Sequence, residues 1–357
     1  MSLDRSLAAE RTRMFEEAAG ASNAVRAQLQ DEKSIAGVGA ALRRLKPRAV
    51  ITCARGSSDH AATYAKYLIE THAQVLTASA APSISSVYGI TQDVRGCLFV
   101  AISQSGRSPD LLAAVKSAKA SGATILALCN SADSPLVAAA DLAVDLHAGP
   151  EISVAATKSY LASLAAIALV IASWTQQATL NAVLKELPEL MDRSWALDWS
   201  AALPPLLSAG NLYVVGRGMG LGAAQEIALK FKETCGMHAE AFSSAELRHG
   251  PYTLLGKAFP ALLIAQRDAT QAGIEVLARE LARRGVPILL AGAGAPGAFA
   301  SGMSLPGVTL LPSIDAAAEI APILLVQSAY RMIATLAVRR GLDPDNPPHL
   351  CKITETV

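Results

Sequence analysis

The chain has 357 residues, 52% of them hydrophobic and 17% charged, with a formal net charge of +1. That balance excludes a disordered chain and fits about two well-buried α/β domains. No Lys/Arg run exceeds two residues and aromatics make up only 4% of the chain, so a nucleic-acid binder's electrostatic footprint and stacking platforms are both missing.

Residues 4–30 are rich in Arg, Glu, Gln and Ala and read as an amphipathic leading helix. Five short apolar runs follow, at 49–53, 75–78, 97–102, 123–129 and 142–146, with helix-like stretches between most of them. Such alternation predicts βαβ units and a parallel sheet. A long helix over 153–176 closes the set. Its apolar centre, 161–174, is shorter than the ~20 residues a membrane span needs and is expected to lie between packed layers. A second set then begins, with strands at 212–215, 238–242, 261–265, 286–291 and 308–311 and a closing helix over 316–339. The shared order and spacing read as a duplicated five-stranded unit. Between the halves, 177–205 reads as a further helix punctuated by Pro188, Pro204 and Pro205. The tail from Asp343, carrying Leu350, Cys351 and Ile353, is expected to lie across a surface. The expected boundaries are a helical segment at 1–34, domains at 35–177 and 195–340, and a tail at 341–357.

The five cysteines are widely spaced and odd in number, and read as buried free thiols in a reducing compartment. No C-x-x-C or H-x-x-x-H spacing occurs, so no zinc is expected. The N-terminus shows no export signal, which points to the cytoplasm.

The densest chemistry lies at 97–110. A buried strand ends at Ser103-Gln104-Ser105-Gly106-Arg107-Ser108, and a helix follows. This geometry aims backbone N–H groups at an anion, and three hydroxyls, an amide and a guanidinium add donors. Gly106 is expected to let the backbone approach the ligand. An ordinary Ser/Gly turn is the bland alternative; a phosphate-monoester cradle accounts better for the donor density. Two further loops meet the same description at the carboxyl ends of strands. Arg55-Gly56-Ser57-Ser58-Asp59 follows the first strand, and 149–158, with Glu151, Val154, Ala156 and Thr157, follows the fifth.

In the second half, Glu226, Lys230 and Glu233 share one helix face at i, i+4 and i+7. A solvated salt-bridge stripe is the usual reading of such spacing. The flanks here are small or apolar, so these charges must face a cleft or a partner, where a Glu near a Lys can be tuned for proton transfer. His249 precedes a Gly-Pro break at the end of a short helix. A lone His is more often structural, but its loop position favours function. Gly218-Met219-Gly220-Leu221-Gly222-Ala223 partly mimics a dinucleotide fingerprint, a weak pattern without a suitable acid downstream.

Read together, R-G-S-S (55–58), S-Q-S-G-R-S (103–108), E-I-S-V-A-A-T-K (151–158), E-I-A-L-K-F-K-E (226–233), H-A-E-A-F (238–242), E-L-R-H-G-P (246–251) and L-C-K (350–352) resemble the sugar isomerase (SIS) tandem of the glutamine–fructose-6-phosphate aminotransferases. The resemblance implies an α/β fold of two tandem flavodoxin-like SIS domains, each a five-stranded parallel sheet flanked by helices. It also implies a hexose-phosphate site completed across a homodimer, with no cofactor, metal, nucleic acid or membrane. By the same resemblance, Ser58, Ser103, Gln104, Ser105 and Ser108 would hold phosphate, and Val154 and Ala156 would approach the sugar. Glu233 would move a proton between C1 and C2. His249, from the neighbouring subunit, would assist ring opening, while Lys230 and Lys352 would contact substrate. Gly56, Arg107, Glu151 and Glu226 form a second tier.

The departures are as informative. The chain begins M-S-L-D, and no glutaminase is expected to precede it. Ser108 replaces the family's Thr and keeps the hydroxyl. Arg107 stands where the synthase has Glu, and Ala156 where Ser is usual. The expected function is a stand-alone deaminase/isomerase converting glucosamine 6-phosphate to fructose 6-phosphate and ammonia. The alternatives are a galactosamine-6-phosphate deaminase, a ketosamine-6-phosphate deglycase, and a non-catalytic phosphosugar-binding module.

Overall fold

The computed structural model describes residues 9–292 and 307–352. The chain divides into two compact units. One comprises Asn23–Glu151 and Lys158–Glu186 with Cys351 and Lys352; the other comprises residues 9–22, Ile152–Thr157 and Leu187–Leu350.

In the first unit, strands β1 (Val50–Cys53), β2 (Thr77–Ser79), β3 (Leu98–Ser103), β4 (Thr124–Cys129) and β5 (Leu142–Asp145) form one sheet in the order β2-β1-β3-β4-β5. Every pairing is parallel. All six residues of β3 are buried, which is why its sequence is apolar without alternation: helices cover both faces. Phe99, Ala101, Ile125 and Ala127 pack on one face against Leu111, Ala114, Val115 and Leu136. Edge strand β2 starts later than its hydrophobicity predicts, and Leu76 just before it is 71% exposed.

The closing helix of this unit runs Lys158–Thr175, not from 153. Glu151 accounts for the late start. Its carboxylate accepts the Ser159 N–H at 3.0 Å and the Ser159 hydroxyl at 2.6 Å, so a side chain occupies the first-turn donors. This helix and Ala321–Arg339 are long and apolar enough to cross a membrane, yet 83% of each apolar window is buried within the fold.

In the second unit, β6 (Asn211–Gly216), β7 (His238–Ser243), β8 (Ala261–Ile264), β9 (Ile288–Ala291) and β10 (Val308–Leu311) are ordered β10-β9-β8-β6-β7, again all parallel. Counted from its own first strand, this is the order of the first sheet, so the structure contains the duplicated unit. The core gathers Tyr213, Val215, Leu263 and Leu290 against Ile274, Leu277 and Leu281. The helices Gly220–Cys235 and Ala321–Arg339 pack together, with Arg13–Ala19 against the latter.

Four expectations are corrected. The leading helix breaks at Gly20 into Arg13–Ala19 and Ala21–Gln30, because Gly20 caps the first piece. The second closing helix begins at Ala321 rather than 316. Pro188 does not punctuate the linking segment: Ala178–Trp195 continues through it, its buried Leu184, Leu187 and Met191 holding the helix by packing. Four cysteines are buried, but Cys351 is exposed on the tail. The tail is tied down at Asp345, whose carboxylate accepts the Arg13 and Met14 N–H groups at 2.8 Å each and so caps that helix. Ile353 lies outside the described residues.

Candidate functional site

The first sheet reverses its winding between β1 and β3. These strands pair directly, Cys53 opposite Ala101, while their chain neighbours lie on opposite sides. Loops leaving the carboxyl ends of two such strands diverge and open a crevice. Both loops carry expected phosphate residues: Ser58 after β1, beside the second-tier Gly56, and Ser103, Gln104, Ser105 and Ser108 after β3.

The second loop is built by its own side chains. The buried Ser103 hydroxyl accepts the Gly106 N–H at 2.9 Å, and the Ser105 hydroxyl accepts the Arg107 N–H at 3.4 Å. Gly106 has φ +64°, and a Cβ there would lie 2.4 Å from Ser134 Oγ and 2.8 Å from Cys129 Sγ. Positive φ and close packing behind the loop both demand a glycine here. Ser108 sits at the N-cap of the helix Pro109–Ala120, but its hydroxyl makes no capping bond. Arg107 is exposed.

An ion pair unforeseen in the sequence joins the two loops. Arg55 Nε donates to Asp110 Oδ2 at 2.8 Å and its Nη2 lies 2.6 Å from the same oxygen. Asp110 is 1% exposed, and its other oxygen accepts the Leu111 N–H at 2.8 Å. Beneath it, burial and then Asp110 push the Cys53 thiol up to about 12, leaving it uncharged. Burial raises the Asp59 carboxyl above its ordinary value, with His60 and Arg55 opposing.

Glu151 is the other anchor of this unit. Besides holding Ser159, it lies 3.3 Å from the Lys352 ammonium; the Glu151 side chain is fully buried and that of Lys352 is 25% exposed.

In the second unit, the helix Gly220–Cys235 carries the charged triplet. Glu226 and Lys230 are completely buried, their charges 3.4 Å apart. The Lys230 ammonium also donates to Glu233 Oε2, and the Tyr330 hydroxyl donates to Glu226 Oε1 at 2.8 Å. Burial works to discharge Lys230, but Glu226 and Glu233 override it and raise its pKa. Glu233 alone of the three retains exposure, at 20%. The arrangement is a solvent-reaching carboxylate backed by a buried ammonium whose pKa is raised. Tyr330 escaped sequence reasoning because a single phenol in an apolar helix carries no motif.

His249 is exposed and ends the 3₁₀ turn Glu246–Arg248, its N–H on the Glu246 carbonyl. Val154 and Ala156 are half-buried, and Val154 donates its N–H to the Asp345 carbonyl at 3.3 Å. Glu17 accepts the N–H groups of Ile152 and Ser153. The Gly218–Ala223 stretch is plugged by Gln266, which is 1% exposed: its Nε2 donates to the Arg217 carbonyl at 2.7 Å, and its Oε1 lies 2.5 Å from where a Gly220 Cβ would stand. Gly220 answers packing. The expected residues therefore fall into two groups, one in each unit.

Three comparisons bear on this arrangement. The SIS domain family matches residues 45–173 and 205–304. A glutamine–fructose-6-phosphate aminotransferase [isomerizing] from Sulfurisphaera tokodaii is 33% identical over 306 residues, covering 85% of this chain and 49% of that protein. The chain spans about half the length of the curated relatives it matches. Among solved structures, a suggested phosphosugar isomerase from Silicibacter pomeroyi DSS-3 is 37% identical with a TM-score of 0.87, covering 94% of this chain and 100% of that one. The C-terminal domain of the glucosamine-fructose-6-phosphate aminotransferase from Francisella tularensis is 27% identical with a TM-score of 0.81, covering 94% and 97%.

Proposed function

The chain belongs to the SIS domain family, and from that premise we propose that it is an aminosugar-phosphate isomerase/deaminase acting on glucosamine 6-phosphate. The observation that carries this reading is Glu233, a carboxylate with 20% exposure held by the fully buried Lys230.

The chemistry follows from the residue types. In the open-chain substrate, Glu233 takes the proton from C2 and leaves an enolamine across C1 and C2. Returning the proton to C1 gives a 2-imine, which water hydrolyses to fructose 6-phosphate and ammonia. One carboxylate serves both carbons, and general-base catalysis of this kind is worth roughly two to four orders of magnitude. Lys230 orients Glu233 through their ion pair; being fully buried, it acts through that carboxylate rather than on the sugar. Ser58, Ser103, Gln104, Ser105 and Ser108 hold the phosphate. Val154 and Ala156 line the sugar. Lys352, presented by Glu151, stabilises charge developing at the carbonyl. His249 assists ring opening from the second copy of a homodimer.

The exposed Arg107, in place of an acidic residue, favours a second reading in which the same machinery acts on a galactosamine or ketosamine 6-phosphate. The deciding experiment is a coupled assay of ammonia and ketose phosphate across a panel of aminosugar phosphates. Release of both from glucosamine 6-phosphate is expected. Release only from another member selects the second reading. Binding without turnover of any panel member leaves a phosphosugar-binding module and sinks the enzymatic account.

A further inference from the structure

We propose that Arg55, anchored on Asp110, is a phosphate ligand of the cradle and supplies its fixed positive charge; the proposal rests on the phosphosugar reading above. Asp110 is a buried carboxylate in the first turn of the helix Pro109–Ala120, two residues after Ser108. A bare carboxylate there would repel a phosphate dianion from the same helix end. Arg55 cancels that charge through Nε and Nη2, at 2.8 and 2.6 Å.

The pairing uses only one side of the guanidinium. The Arg55 side chain remains 54% exposed, and its Nη1 has no acceptor among the described residues. A fork of donors fixed on one carboxylate is preorganised to meet a second anion with the rest. The surroundings suit such a ligand. Gly56, next in the chain, has open space where a Cβ would point. The Ser108 hydroxyl is uncommitted among the described residues. The ion pair also links the two loops that flank the β1/β3 reversal, so the charge sits where the crevice opens. Asp110 is the positioning residue and Arg55 the ligand.

The test uses the full chain, with inorganic phosphate, fructose 6-phosphate and fructose as probes, by calorimetry and ligand-induced thermal shift. Wild type should bind the two phosphorylated probes and not fructose. Arg55→Met should weaken both by roughly 10- to 100-fold, and Arg55→Lys should fall between. Because Arg55→Met leaves Asp110 unpaired and the variant could unfold, Arg55→Met/Asp110→Asn is measured beside it. That double variant should remain as weak as Arg55→Met. If it regains wild-type affinity, Arg55 merely neutralises Asp110 and is no ligand. If every Arg55 variant binds phosphate like wild type, the proposal is wrong while the phosphosugar reading stands. If wild type itself binds neither phosphorylated probe, that reading falls and takes the proposal with it.

Discussion

The two repeats share a sheet order but treat their first loops in opposite ways. After β1 the chain reads Arg55-Gly56-Ser57, and after β6 it reads Arg217-Gly218-Met219. Both glycines have positive φ, +54° and +60°. In the first repeat Gln104, following β3, is half-buried, and its loop leaves Arg107 exposed and the Ser108 hydroxyl without a capping bond. In the second, the glutamine following β8, Gln266, is buried and turned into the loop, bonding the Arg217 carbonyl, Asp268 and Thr270. One copy is open to a ligand, and the other has filled the equivalent place with its own side chain. The second copy carries its charge instead inside a helix, at Glu226, Lys230 and Glu233. Duplication supplied one scaffold twice, and a few side chains set the two copies apart.

This division can be broken or sharpened experimentally. The largest effect is expected at Glu233. Glu233→Gln should lower turnover by about 10²- to 10⁴-fold in the ammonia-release assay while phosphate binding stays intact; retained turnover would place the chemistry elsewhere.

Lys230→Met should come next, destabilising the fold by about 3–5 kcal/mol because Glu226 is left charged and buried. Adding Glu226→Gln should recover part of that loss in denaturant titrations. The pH dependence follows from the same pair. The folded-state pKa of Lys230 is raised above its ordinary 10.5, so its stabilising contribution is complete below 10.5 and disappears as pH climbs through the folded value. Denaturation midpoints should therefore fall at alkaline pH more steeply in wild type than in the Lys230→Met/Glu226→Gln protein.

The smallest effect compares two glycines of similar φ. Gly106→Ala meets Ser134 and Cys129 at 2.4–2.8 Å, whereas Gly218→Ala meets nothing nearer than 3.3 Å. Both should lose about 1–2 kcal/mol to the left-handed backbone, and only Gly106→Ala should lose clearly more. Equal losses would mean the wall behind the first loop yields readily.

Much of this protein was legible in its residues. Nine of the ten strands overlap their expected ranges closely; for central strands such as β3 and β8 the reason is that a strand covered on both faces has no polar alternation to obscure it, and the poorest match is edge strand β2, which begins after the exposed Leu76. The donor-rich loop after β3 and the charged face of Gly220–Cys235 were equally plain. The late start of Lys158–Thr175 was not, since a glutamate seven residues upstream carries no sign that it will cap Ser159.

Local order in this chain is thus written locally: apolar runs make strands, 3.6-residue periodicity makes helices, and clustered Ser and Gly make turns. What the residues meet was decided only by the tertiary structure. Asp110 finds Arg55 across 55 positions, and Tyr330 finds Glu226 across 104. The worth of each charge depends on burial and on that distant partner, and neither is a property of the stretch in which the charge is found.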